Sequence, residues 1–126
     1  MNIKTIFSIG AGCFIGGVLR YLLSQWLQSK DSASFPIGTL VVNIIGCFLI
    51  GIVFSLAEKG NMPVAWRLFL ATGLLGGFTT FSAFSMETFL MYRHGYYGMM
   101  LTYVLLSLVL GIGATFSAMM LAKHFQ

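Results

Sequence analysis

The sequence predicts an all-α membrane protein of four transmembrane helices, the third of them broken near residues 76–80. Three observations carry that expectation. Of 126 residues, 58% are apolar and only 8% are charged, where a soluble domain of ordinary composition carries about a quarter charged residues. Four apolar stretches, at about 3–27, 36–57, 64–92 and 96–121, each reach the roughly 20 residues with which a helix crosses a hydrocarbon core. The third stretch, unlike the others, has a cluster of glycines and threonines at its centre. One domain, 1–126, is expected. Because apolar segments continue along the whole chain, the first is a poor candidate for a cleaved signal peptide.

The first helix places Ser8, Gly12 and Gly16 at a spacing of four, in a row that leads to Arg20. Residues so spaced share a helix face. Small residues let backbones approach closely in lipid, so this face is expected to meet another helix and to point Arg20 at protein. An arginine inside a span marks a functional site by default, and one near a helix end also has the option of snorkelling to the interface. Cys13 and Cys47 lie in mid-span without a nearby His or second Cys, as small packing residues do.

The first connection carries Gln28, Ser29, Lys30, Asp31, Ser32 and Ser34, and Pro36 suits the opening turn of the second helix. That helix repeats the spacing of four in Thr39, Asn43 and Cys47, with Gly46 and Gly51 nearby. Asn43 is the informative residue. A carboxamide in an apolar helix needs partners, and either an interhelical hydrogen bond or an anion facing its two N–H donors would serve. Glu58, Lys59, Gly60 and Asn61 form the second connection, and Pro63 opens the third helix.

As an unbroken helix the third stretch would be about 43 Å long at 1.5 Å per residue, well beyond a hydrocarbon core of about 30 Å. Gly73, Gly76 and Gly77, followed by Phe78, Thr79 and Thr80, are poor helix formers, so a break is expected at about 76–80. Carbonyls freed by such a break are ready ligands for a cation, and irregular backbone at this depth survives only inside protein or along a hydrated cavity. Beyond it, Phe81 and Phe84 share a helical face. Aromatic rings are positive at the edge, so they can meet a dehydrated anion without a deep trap, although two phenylalanines so placed also suit a core or a lipid face. Arg93, His94 and Gly95 make the last turn. Tyr96 and Tyr97 follow, like Trp26 and Trp66, where interfacial aromatics are favoured. The fourth helix carries Tyr103, Ser107, Gly111 and Thr115 at a spacing of four, a stripe that serves packing or a polar pathway equally well.

Seven Lys and Arg against three Asp and Glu give a net charge of +4. They are scattered singly, not clustered as nucleic acid binding requires. With four crossings, Lys4, Lys59, Arg67 and Lys123 face Lys30 and Arg93 across the bilayer, and Arg20 narrows the margin further. So small a bias permits insertion in both orientations, and inverted copies can pair about a two-fold axis in the membrane plane. A single orientation is equally compatible with these charges.

At Gly76-Gly77-Phe78-Thr79-Thr80-Phe81-Ser82-Ala83-Phe84-Ser85 the sequence resembles the Fluc (CrcB) fluoride channels, small bacterial proteins that export cytoplasmic fluoride passively. Gly16-Gly17-Val18-Leu19-Arg20-Tyr21 and Gly38-Thr39-Leu40-Val41-Val42-Asn43-Ile44-Ile45-Gly46 are also similar to family signatures. The resemblance implies an antiparallel, dual-topology homodimer in the bacterial cytoplasmic (inner) membrane, with two pores and a structural sodium ion at the dimer centre. It implies that Phe81 and Phe84 contact fluoride and that Asn43 donates to it. Thr39, Thr80, Ser82, Tyr103, Ser107 and Thr115 join that pathway, the last three as a polar track that Gly111 interrupts. It further implies Arg20 in a vestibule and the carbonyls of Gly76 and Thr79 on sodium, and it leaves Glu87 without a role. The main rival is a proton-coupled exporter of the small multidrug resistance type, which shares the length and the four helices. Such exporters rely on a carboxylate in the first helix, where this chain has Arg20 and no acid. No nucleophile–base pair, metal cluster or phosphate loop suggests an enzyme.

Overall fold

The computed structural model describes residues 2–28 and 35–125. Ser29, Lys30, Asp31, Ser32 and Ser34 of the expected first connection lie outside the described residues. The chain is helical, with four candidate spans at Ile3–Leu27, Ile37–Glu58, Val64–Arg93 and Tyr97–His124, each long and apolar enough to cross a membrane. It is a multi-pass membrane protein. We label the helices α1 (Ile3–Leu27), α2 (Ile37–Glu58), α3 (64–78), α4 (Phe81–Arg93) and α5 (Tyr97–His124). The third span thus consists of α3 and α4 in succession.

Local chemistry sets the ends. The Asn2 side chain accepts the Lys4 amide at 3.0 Å and caps α1, and Pro36 and Pro63 precede α2 and α3. The turns after α2 and α4 use Gly60 and Gly95 at φ +75° and +80°, a left-handed conformation open to glycine without steric cost. Within α3, Leu68–Leu75 is wound as a π-helix, a widened form frequently found at functional sites.

The glycine row of α1 meets α3. Gly12 and Gly16 are the buried residues of α1, and a Cβ on Gly12 would lie 2.8 Å from both the Leu74 nitrogen and the Phe69 oxygen. From the other side, a Cβ on Gly77 would lie 2.6 Å from the Cys13 oxygen. Two backbones are therefore in direct contact. This corrects the expected role of the glycines: Gly76 and Gly77 remain helical, and Gly73 and Gly77 serve close packing against α1 rather than the break.

α2 is the central helix. It packs most extensively on α5 and also touches α1, α3 and α4. Gly51 lets it approach the Thr115 carbonyl, to which a Cβ would come within 2.6 Å. Leu40, Met91 and Tyr103 from α2, α4 and α5 form a buried cluster, with Phe35 and Phe84 packed against it. Elsewhere large apolar side chains point outward, among them Phe7, Phe14, Trp26, Val109 and Phe116. Such a surface belongs in hydrocarbon, where a helix satisfies its own backbone.

Candidate functional site

The break in the third span is two residues long. Thr79 (φ −87°, ψ 157°) and Thr80 (φ −151°, ψ 112°) are extended, narrower than the 76–80 expected. At membrane depth each backbone group released by a break needs a partner. Asn43 of α2 supplies two of them at once: its Oδ1 accepts the Thr80 amide at 2.8 Å and its Nδ2 donates to the Thr80 carbonyl at 3.1 Å. The Thr80 hydroxyl in turn accepts the Ala83 amide at 3.1 Å and caps α4. The interhelical hydrogen bond is thus realised, and of the two Asn43 N–H donors one remains uncommitted among the described residues.

This pattern decides which carbonyls are left over. In a continuous helix the Gly76 carbonyl would receive the Thr80 amide and the Thr79 carbonyl the Ala83 amide. Both amides are diverted, to Asn43 and to the Thr80 hydroxyl. Among the described residues the Gly76 and Thr79 carbonyls therefore lack these partners, as does that of Phe78, which receives no bond from the Ser82 amide, and Gly76 lies on an open face. That donor set fits a hard cation such as sodium. Among the described residues no group of three His, Cys, Asp or Glu offers an alternative metal site. The Gly77 carbonyl is taken: Arg20 of α1 donates to it from Nε at 3.1 Å.

Two cavities meet at Thr80, which lines both. One, of about 400 Å³, is bounded by α2, α3, α4 and α5, with Asn43, Thr79, Phe81, Phe84, Ser107 and Gly111 in its wall. The other, of about 700 Å³, opens between the C-terminal ends of α1 and α4 and the N-terminal ends of α2 and α5, and includes Arg20, Thr39 and Glu87. Just past the break, Phe81 is 78% exposed. Its ring centroid lies 5.6 Å from that of Phe84, which lies 5.2 Å from Tyr103. The shared face expected for the two phenylalanines is formed. Ser82 lies beside them, its hydroxyl 3.2 Å from that of Thr80.

The structure gives Glu87 a set of partners that the sequence reading missed. Thr39 donates to one carboxylate oxygen at 2.6 Å and Tyr103 to the other at 3.1 Å. A signal was present: an acid inside an apolar span requires donors, and α2 carries only two hydroxyls, Thr39 and Ser55. The expected polar track is not continuous within the chain. Ser107 lines the smaller cavity, but Tyr103 is fully buried, with its hydroxyl on Glu87. Thr115 donates to the Cys47 carbonyl at 2.8 Å. A hydroxyl that bonds helix backbone in this way is spent on packing.

A family model described as CrcB-like protein, Camphor Resistance (CrcB), matches residues 7–119 of this chain. The fluoride-specific ion channel FluC of Leptospira interrogans serogroup Icterohaemorrhagiae is 42% identical over 123 residues, which cover 97% of either chain. That of Parabacteroides distasonis is 46% identical over 119 residues, 94% of this chain and 93% of its own. That of Agrobacterium fabrum is 44% identical over 125 residues, 98% of both.

Proposed function

The chain belongs to the CrcB-like family, and from that premise we propose that it is a fluoride-selective ion channel that exports cytoplasmic fluoride passively and so relieves its toxicity. The relatives named above are fluoride-specific channels over nearly the full length of this chain. The observation that carries the site is the Phe81–Phe84 ring pair standing on the Asn43-clasped break, at the wall of a cavity. A fluoride ion stripped of water meets ring edges there, together with the uncommitted Asn43 N–H and the hydroxyls of Thr80, Ser82 and Ser107. Each contact is weak by itself. Conduction needs sites that are favourable enough to enter and weak enough to leave, and no ionised lysine or arginine is required beside the rings.

The working unit in this reading is an antiparallel homodimer of dual topology in the bacterial inner membrane, with two pores. Its support is the small charge bias, together with an open face that carries Gly76 and the exposed Phe81 ring. A second, inverted copy would cover that face. The Gly76 and Thr79 carbonyls of both copies would then hold one sodium ion, which supplies positive charge to offset the carbonyl dipoles and fix the two breaks together.

Purified protein in liposomes is expected to release fluoride with no proton or sodium gradient, and to retain chloride. Flux that needs either gradient, or chloride passing as readily as fluoride, sinks the reading. Phe81→Ile replaces a ring edge by an aliphatic group of similar size and is expected to abolish flux.

A further inference from the structure

Arg20 is placed where its charge and its hydrogen bond predict different things. It is half-buried in the third span's neighbourhood and lines the wider cavity, a position from which a cation could collect anions. Yet its Nε donates to the Gly77 carbonyl at 3.1 Å. In an unbroken helix that carbonyl would receive the Phe81 amide, which the break has moved beyond reach. Gly77 lies between Gly76 and Thr79, whose carbonyls are free among the described residues. We propose that Arg20 is a positioning residue: by closing the Gly77 carbonyl from α1 it fixes the C-terminal end of α3, and its effect on fluoride current runs through the break and not through anion collection.

Several features converge on this. Gly12 and Gly16 hold α1 in backbone contact with α3, and Arg20 continues their row, so the guanidinium is delivered to the break by rigid packing. Asn43 performs the matching task from α2, on the other side of the break. The two side chains hold residues 77 and 80, while the neighbouring carbonyls of Gly76, Phe78 and Thr79 stay open among the described residues. A guanidinium suits this task, since its planar N–H fork is preorganised for an acceptor where a lysine ammonium is not.

The inference rests on the channel reading, and the two fail differently. Unitary fluoride currents are measured in planar bilayers for the wild type, Arg20→Lys and Arg20→Gln, at low and high concentrations of an impermeant salt and over a range of sodium concentrations. Unitary current is insensitive to how many molecules have folded, so lost stability alone does not move it. The expectation is that Arg20→Lys, which keeps the charge, loses about tenfold in current, on the scale of one hydrogen bond from a charged donor. The loss should persist at high salt, and the variant should need more sodium to reach full current. Wild-type current in Arg20→Lys, with an Arg20→Gln deficit that salt abolishes in the comparison with wild type, makes Arg20 a charge collector and overturns the proposal. If neither variant assembles, an amide-to-ester replacement of the Gly77–Phe78 bond weakens the acceptor with Arg20 intact, though it also removes the Phe78 N–H. A current loss accompanied by the raised sodium requirement supports the cap, and unchanged current refutes it. Absence of fluoride current in the wild type removes the channel reading instead.

Discussion

Asn43→Ala tests the clasp on the break most directly. The substitution removes both partners of Thr80, at 2.8 and 3.1 Å. A polar group left unsatisfied away from water costs about 1–3 kcal/mol, so two give about 2–6 kcal/mol. Thr80 borders both cavities, and water there replaces part of the loss, which places the expectation at the lower end, about 2–3 kcal/mol. That is well above the average of about 0.6 kcal/mol for an interhelical hydrogen bond in a membrane. Stability in detergent micelles by steric trapping and fluoride efflux from liposomes are measured on one preparation. Both should fall, with the protein still assembled at low denaturant. A stability change below about 0.5 kcal/mol, the range of an ordinary surface substitution, alongside lost flux would refute the clasp and leave Asn43 as an ion contact alone.

Gly77→Ala forces a Cβ to within 2.6 Å of the Cys13 oxygen and should cost about 1–3 kcal/mol by overpacking, whereas Gly17→Ala, with nothing within 4 Å, should leave stability unchanged or raise it by up to about 1 kcal/mol; the same unfolding assay compares them. Ser55 is 2% exposed and its hydroxyl has no partner among the described residues, so Ser55→Ala should be neutral or stabilising by about 1 kcal/mol, and clear destabilisation would reveal a hidden partner. Glu87→Gln keeps acceptors for Thr39 and Tyr103 on only one oxygen, and Glu87→Ala keeps none. Unfolding should therefore rank wild type above Gln above Ala, with Ala losing about 1–3 kcal/mol for the stranded Tyr103 hydroxyl.

Hydrophobicity made the four spans legible because length and apolar composition are summed over some twenty residues, and single errors do not matter. The break was legible in place but not in cause. Glycines near 76 suggested weak helix, yet their partner was α1, and the extended residues turned out to be threonines whose helical bonds Asn43 and a local cap had taken. No propensity scale contains that competition. Phe81 and Phe84 could be paired from spacing because three residues apart means one face. Tyr103, Ser107 and Thr115 share a face too, but a stripe does not reveal which hydroxyls are already spent, since the Glu87 and Cys47 acceptors come from other helices. The same holds for Arg20, whose carbonyl partner is 57 residues away in sequence.

The two extended threonines also divide what would have been one macrodipole. An unbroken span shows its poles only at the two membrane surfaces, whereas here α3 ends and α4 begins within two residues. Each terminus carries partial charge equivalent to about half an elementary charge, negative at the carbonyl end and positive at the amide end. Opposite poles therefore stand side by side at bilayer depth, the carbonyl pole next to Gly76 and the amide pole next to Phe81. An ionised side chain at the bilayer centre costs about 2.5–3.5 kcal/mol on insertion scales. The backbone gives this protein one pole suited to a cation, which the Arg20 guanidinium already meets at Gly77, and one suited to an anion, which needs no charged side chain of its own.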